Sequence, residues 1–268
     1  MPTWDRKHTV DIPSVPLDQF QNFLLCLARV MSLILAIPVF NSRQIPAQVK
    51  IGLGFGTALI LFPLMRDYTP QVSFTLVQFG ILMLNEVIIG LLLGLSAQLI
   101  FTAVNFSGTI IGYQMGFAAA NIFDPQTSQQ LSLMSQFQNV IAILIFLSLD
   151  IHQYFFRTIV ESYILLPPGL LDFSGGSVQL LIRLAGHMFL LGVKFSAPVL
   201  ALLLLSNMVL GILARVFPQL NVFMLSFPLN IGISLVAIGL TLNMTVRILR
   251  REFDTMGANF FTFFDLLR

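Results

Sequence analysis

Glu86-Val-Ile-Ile-Gly90-Leu-Leu-Leu-Gly94 lies inside an apolar run from 74 to 104 whose only charge is that glutamate. The run exceeds the roughly 20 residues that carry a helix across a bilayer. It does not alternate like a barrel wall, and a helix satisfies its own backbone groups in lipid. The stretch therefore reads as a membrane helix, too long for one straight span, that must tilt, bend or leave the hydrocarbon. Gly90 and Gly94 fall one and two turns from Glu86 on the same face. A neighbouring helix can approach closely there, beside a carboxylate.

Outward from this run the pattern repeats. Apolar runs cover roughly 20–40, 49–65, 133–149, 180–210 and 222–249. Across 268 residues, 56% are hydrophobic and 10% charged, against about 25% charged in a soluble domain. The sequence predicts an all-α polytopic membrane protein with about six apolar helices. Arg43-Gln44-Ile45-Pro46, Pro63 to Pro70, Pro167 to Gly176 and Arg215 to Pro218 punctuate them. With six spans, Arg6, Lys7, Arg66, Arg157 and the C-terminal Arg247, Arg250, Arg251 and Arg268 share one side, and Arg43, Lys50 and Arg215 the other. The positive-inside rule puts both tails in the cytoplasm. The N-terminal stretch mixes signs and prolines, and the apolar run after it contains Arg29, so insertion without cleavage is expected.

One segment does not fit a plain bundle. Phe106 to Thr127 contains Gly108, Gly112 and Gly116 at every fourth position and no charge before Asp124. It is too polar and glycine-rich for a lipid-facing helix and too apolar for a solvated loop. Two readings stand: a small-residue helix-packing face, or irregular backbone bordering a cavity, as in a constriction or plug.

Arg29, Glu86, Arg183 and Lys194 fall within apolar runs. A charge at the bilayer centre costs about 2.5–3.5 kcal/mol, so each needs a partner or water. A lone acidic group suits a structural ion pair or subunit contact better than a proton relay, which uses several in series; a solvated interfacial Glu86 is the plainer alternative. Arg29 and Lys194 are the candidate partners. His8, His152 and His187 are isolated, Cys26 is the only cysteine, and no nucleophile elbow or phosphate loop occurs. Catalysis, cofactors and, at a net charge of +2, nucleic acid are not expected.

Five stretches in order resemble the FliR family of the flagellar type III export apparatus, related to the SctT export-gate proteins of injectisomes. They are Arg29 through Pro38-Val-Phe-Asn-Ser-Arg43-Gln-Ile-Pro46 to Lys50-Ile-Gly-Leu-Gly; Glu86 to Gly94; Gly108 to Pro125; Asp150-Ile-His152 with Ser162 to Gly169; and Ala214-Arg215-Val-Phe-Pro218-Gln-Leu-Asn221 to Pro228. The resemblance implies a non-enzymatic subunit of an export gate in the bacterial inner membrane at the flagellar basal body. It implies FliP-like, FliQ-like and FlhB-like partners, unfolded export substrates and contact with membrane lipid. It also implies a FliP-like portion over about 1–175, a FliQ-like helical hairpin over about 176–268, and a plug loop near 106–125. The plug would use Gly112, Gln114, Met115, Gly116, Phe117, Asn121, Phe123, Asp124 and Pro125. Overall similarity favours the flagellar branch. A self-contained secondary transporter or ion channel, and a scaffold without a conduit, are the competing readings; no counterpart of the Gly108–Pro125 break is visible in the other half, as inverted repeats would supply.

Overall fold

The computed structural model describes residues 16–41, 45–65, 68, 74–116, 133–168, 175–219 and 221–267. Every regular element among them is helical: α1 Leu17–Ala36, α2 Ala47–Met65, α3 Leu76–Gln114, α4 Leu133–Ser148, α5 Ile151–Leu165, α6 Gly175–Val216 and α7 Val222–Leu267. The chain is an all-α polytopic membrane protein. Five helices are long and apolar enough to cross a membrane, and α4 with α5 forms a bent pair, broken by 64°, that could supply a sixth span. The bend sits at Asp150, which adopts φ 54°, a left-handed conformation that short polar side chains tolerate.

The sequence reading ended the fourth apolar run at 149. Helix α5 follows it directly and is amphipathic rather than uniformly apolar. Ile151, Phe155, Thr158, Ile159, Ser162 and Tyr163 form its buried face, at the three- and four-residue spacing of one helix stripe. Arg157 on the outer side bonds Glu161 at 2.9 Å.

At the centre, α1 packs along α3, and α3 in turn contacts α4 and α6. Two small residues set the α1–α3 distance. A Cβ on Gly90 would collide with Ser32 Oγ and lie 2.5 Å from the Arg29 carbonyl oxygen; one on Gly94 would collide with the Ala36 side chain. The entry to α3 is fixed by Gln21 of α1, whose amide donates to the Phe74 carbonyl at 3.2 Å and accepts from the Phe74 N–H at 2.9 Å.

The glycine-rich segment begins differently from the expected break. Helix α3 continues without interruption through Gln114, so 106–114 is helix and the chain turns only at Met115 and Gly116. Protein stabilises this stretch, since Gly108 faces α4 closely: a Cβ there would fall 2.8 Å from the Ser135 nitrogen. At about 58 Å in length, α3 outruns the roughly 30 Å hydrocarbon layer.

The last two helices form a long antiparallel hairpin. On α6 the buried side chains Leu191, Phe195, Val199, Leu203 and Leu210 make a narrow stripe, leaving most of the circumference open. Helix α7 runs well past the apolar run that ended at 249. Its final turns carry Phe253, Met256, Phe260, Phe263, Phe264 and Leu267, all buried. Phe253 meets the Phe146 ring of α4 at 5.5 Å, and Phe260 meets Phe155 of α5 at 5.8 Å. The C-terminal helix end thus closes the main core.

Candidate functional site

Three helices converge on one buried charge pair. Arg29 of α1 and Glu86 of α3 are both fully enclosed. The guanidinium engages the carboxylate in a fork, with Nε donating to Oε2 at 2.5 Å and Nη2 to Oε1 at 2.9 Å. The remaining donors reach α5: Nη1 donates to Ser162 Oγ at 2.9 Å and Nη2 to the Leu166 carbonyl at 3.1 Å. Tyr163 contributes twice. Its hydroxyl donates to Glu86 Oε2 at 3.1 Å, and its ring lies under the guanidinium, 3.8 Å from Cζ. The Ser162 hydroxyl in turn donates to the Ile159 carbonyl at 2.6 Å.

The electrostatics explain why the pair survives in an apolar interior. A buried ion pair repays its desolvation only when the remaining donors and acceptors are also satisfied. Here the planar fork matches the carboxylate, and the cation also sits on an aromatic face. The carboxylate is paired with its countercharge and enclosed away from water. The arrangement ties the middle of the α1–α3 seam to the end of α5. Lys194 takes no part, since it lies exposed on α6, where it borders a cleft with His187 and Glu252.

A second cluster surrounds the end of α3. Ile111 and Met115 pack with Met134 of α4, Val199 and Leu203 of α6, and Ala237 and Ile238 of α7. Gly116 adopts φ +94°, and a Cβ there would lie 2.6 Å from the Phe227 ring of α7. Both the backbone conformation and the close ring require glycine. Gly112 and Met115 are buried, whereas Gln114 is exposed. Phe117, Asn121, Phe123, Asp124 and Pro125 lie outside the described residues.

These landmarks fall within a recognised sequence family. The model of the bacterial export proteins, family 1, matches residues 20–256. The flagellar biosynthetic protein FliR of Pectobacterium carotovorum subsp. carotovorum is 37% identical over 215 residues, covering 80% of this chain and 81% of the relative. FliR of Bacillus subtilis (strain 168) is 35% identical over 241 residues, 89% of this chain and 92% of the relative. FliR of Escherichia coli (strain K12) is 33% identical over 214 residues. The chain belongs to the FliR family.

In this FliR-family chain, sequence reasoning did not single out Tyr163, Ser162 or the phenylalanines of terminal α7. Ser162 and Tyr163 sit in an ordinary apolar-polar stretch whose local pattern gives neither of them a charged partner. The spacing of Phe253, Met256, Phe260, Phe263 and Leu267 is a helical stripe that marked a packing face. Among the described residues, no three His, Cys, Asp or Glu side chains converge to hold a metal ion.

Proposed function

We propose that this chain is a non-enzymatic subunit of the type III export gate, helping to form and close the conduit through which unfolded flagellar proteins cross the inner membrane. A role in flagellar export follows from the family and from the names its relatives carry. One structural observation carries the gate reading. The apolar spans of α1 and α3 are 50% and 56% buried within the chain, against 22% for α6 and α7, where Leu205, Met208, Val209, Ile212 and Val236 are more than half exposed. Open apolar faces on a hairpin with a narrow internal seam fit a chain that joins neighbours around a shared passage.

FliP-like and FliQ-like subunits are the proposed neighbours, with an FlhB-like switch protein at the cytoplasmic side. The start of α6 at Gly175 supports a boundary near 175 between a FliP-like portion and a FliQ-like hairpin. The basic cluster Arg247, Arg250 and Arg251 supports a cytoplasmic C-terminus.

Residues 112–124 are proposed to plug the closed pore. The end of α3 supports a fixed root for such a plug: Met115 is anchored between α4, α6 and α7, and Gly116 turns the chain against Phe227. The decisive experiment compares two preparations. Co-expression with FliP- and FliQ-like proteins should rescue a chain that is heterogeneous alone; a well-behaved monomer that refuses them in a pull-down overturns the reading. Assembled gates with 117–124 shortened should conduct ions while idle. Normal assembly with no added conductance would reduce the segment to a packing element.

A further inference from the structure

The charges on the hairpin mark out a length. Between Lys194 and Arg215, α6 has no charged residue, and α7 has none from Val222 to Val246. These stretches are about 30 and 37 Å long at the helical rise, close to the hydrocarbon thickness of a bilayer. They run antiparallel, with Ser206 Oγ of α6 donating to Asn230 Oδ1 of α7 at 2.8 Å about midway along, and with His187 Nε2 2.8 Å from Glu252 Oε2 at the end away from the turn. The charge-free lengths therefore lie side by side. Arg215 bounds them at the turn, and Lys194 and Arg247 bound them at the far end.

At that far end a cleft of about 230 Å³ opens between the two helices, lined by His187, Lys194, Ile248, Arg251, Glu252 and Thr255. Glu252 is engaged by His187. Lys194 and Arg251 have no carboxylate within ion-pair distance among the described residues. The exposed side chains of Leu190 on α6, and of Leu240 and Met244 on α7, share the helix faces that carry Lys194 and Ile248. Two cations without an ion-pair partner among the described residues, beside the single carboxylate that His187 engages, thus sit where a charge-free, lipid-length surface ends.

We propose that this cleft takes the phosphate of an anionic phospholipid, its acyl chains lying along Leu190, Leu240 and Met244 beside the cleft, at the opposite end of the hairpin from the Met208 to Ile212 surface proposed for neighbouring subunits. Arg251 offers a planar fork of donors for phosphate oxygens, and Lys194 a mobile ammonium on a stem that reaches the interface. Basic pockets between membrane helices recognise such headgroups on the cytoplasmic side. Charge selects the ligand: a zwitterionic lipid carries a compensating ammonium that two cations repel.

The full chain in mild detergent is supplied with phosphatidylglycerol or phosphatidylcholine of matched acyl chains, and native mass spectrometry counts bound lipid on the monomer selected by mass from the heterogeneous preparation. Phosphatidylglycerol should be retained preferentially, and Lys194→Gln with Arg251→Gln should lower its affinity roughly thirtyfold, at about 1 kcal/mol per cation. Arg251→Lys keeps the charge and should retain most of the binding, which separates headgroup recognition from misfolding. Equal retention of both lipids by the wild-type chain overturns the proposal whether or not the double variant folds. So does undiminished binding by a folded double variant. Displacement by millimolar inorganic phosphate would assign the cleft to a free anion. Loss of the lipid on adding FliP- and FliQ-like subunits, with the double variant failing to assemble, would assign it to a protein carboxylate.

Discussion

The α1–α3–α5 region and the α6–α7 hairpin handle polarity in opposite ways. In the first, a full positive and a full negative charge lie in the interior, and the chain itself supplies every partner: Glu86 and Arg29 for each other, with Ser162, Tyr163 and the Leu166 carbonyl completing the set. In the hairpin, charge is absent for a bilayer's length and the exposed surface is apolar. Its buried polar groups within that length are neutral: Ser206 and Asn230 bond at 2.8 Å, Asn230 reaches the exposed Asn207 at 3.1 Å, and Ser196 and Ser234 add buried hydroxyls. A region that satisfies its own buried charges is committed to one internal arrangement. A region that leaves apolar faces open takes its stability from what surrounds it.

The strongest test removes one partner of the charge pair. Glu86→Ala strands Arg29 without a countercharge and removes the acceptor of Tyr163, so it should cost roughly 3–5 kcal/mol, read as lost folded yield and a lower unfolding midpoint of the full chain. Glu86→Gln should be milder because it retains hydrogen bonding. Replacing both charges, as Arg29→Met with Glu86→Leu, should be less harmful than Glu86→Ala. If all three variants match wild type, the first region is not held by this node.

The glycines sharpen the contrast. Gly90→Ala pushes a methyl group into Ser32 and the Arg29 backbone, an overpacking worth about 1–3 kcal/mol. Gly232 and Gly239 on α7 have nothing within 4 Å of an added Cβ. Gly232→Ala and Gly239→Ala should leave the isolated chain unharmed, or more stable by up to about 1 kcal/mol through helix propensity. In co-expressed complexes a loss of assembly at these sites would mark where neighbours approach. Equal destabilisation of the isolated chain by Gly90→Ala and Gly232→Ala would erase the distinction between the regions.

The smallest effect should come from the neutral seam. Asn230→Leu removes the side-chain bonds to Ser206 and Asn207. Bonds of this kind between membrane helices average about 0.6 kcal/mol, so thermal unfolding of the purified chain should shift only slightly. A loss as large as that of Glu86→Ala would mean that the hairpin is locked from within as the core is.

Composition and run length determined the fold class, because so few charges over so many apolar residues leave the helix as the structure that satisfies its backbone in lipid. Spacing along one helix was equally legible: Gly90 and Gly94 share the face of Glu86, and that face meets α1. These properties depend on neighbours within a few residues, which a linear pattern records. Tertiary structure alone selected Arg29 over Lys194 as the partner of Glu86, since both cations lie in apolar runs and only the packing of α1 on α3 encloses one of them. It alone brought Ser162 and Tyr163 to the pair, across 133 and 77 positions, by bending the chain at Asp150. It also extended α3 to Gln114, where Gly108 against Ser135 turns a sequence too polar for lipid into a helix buried by protein. Each of these outcomes depends on which surfaces meet in space, and residue type fixes only what a surface can do once it has met another.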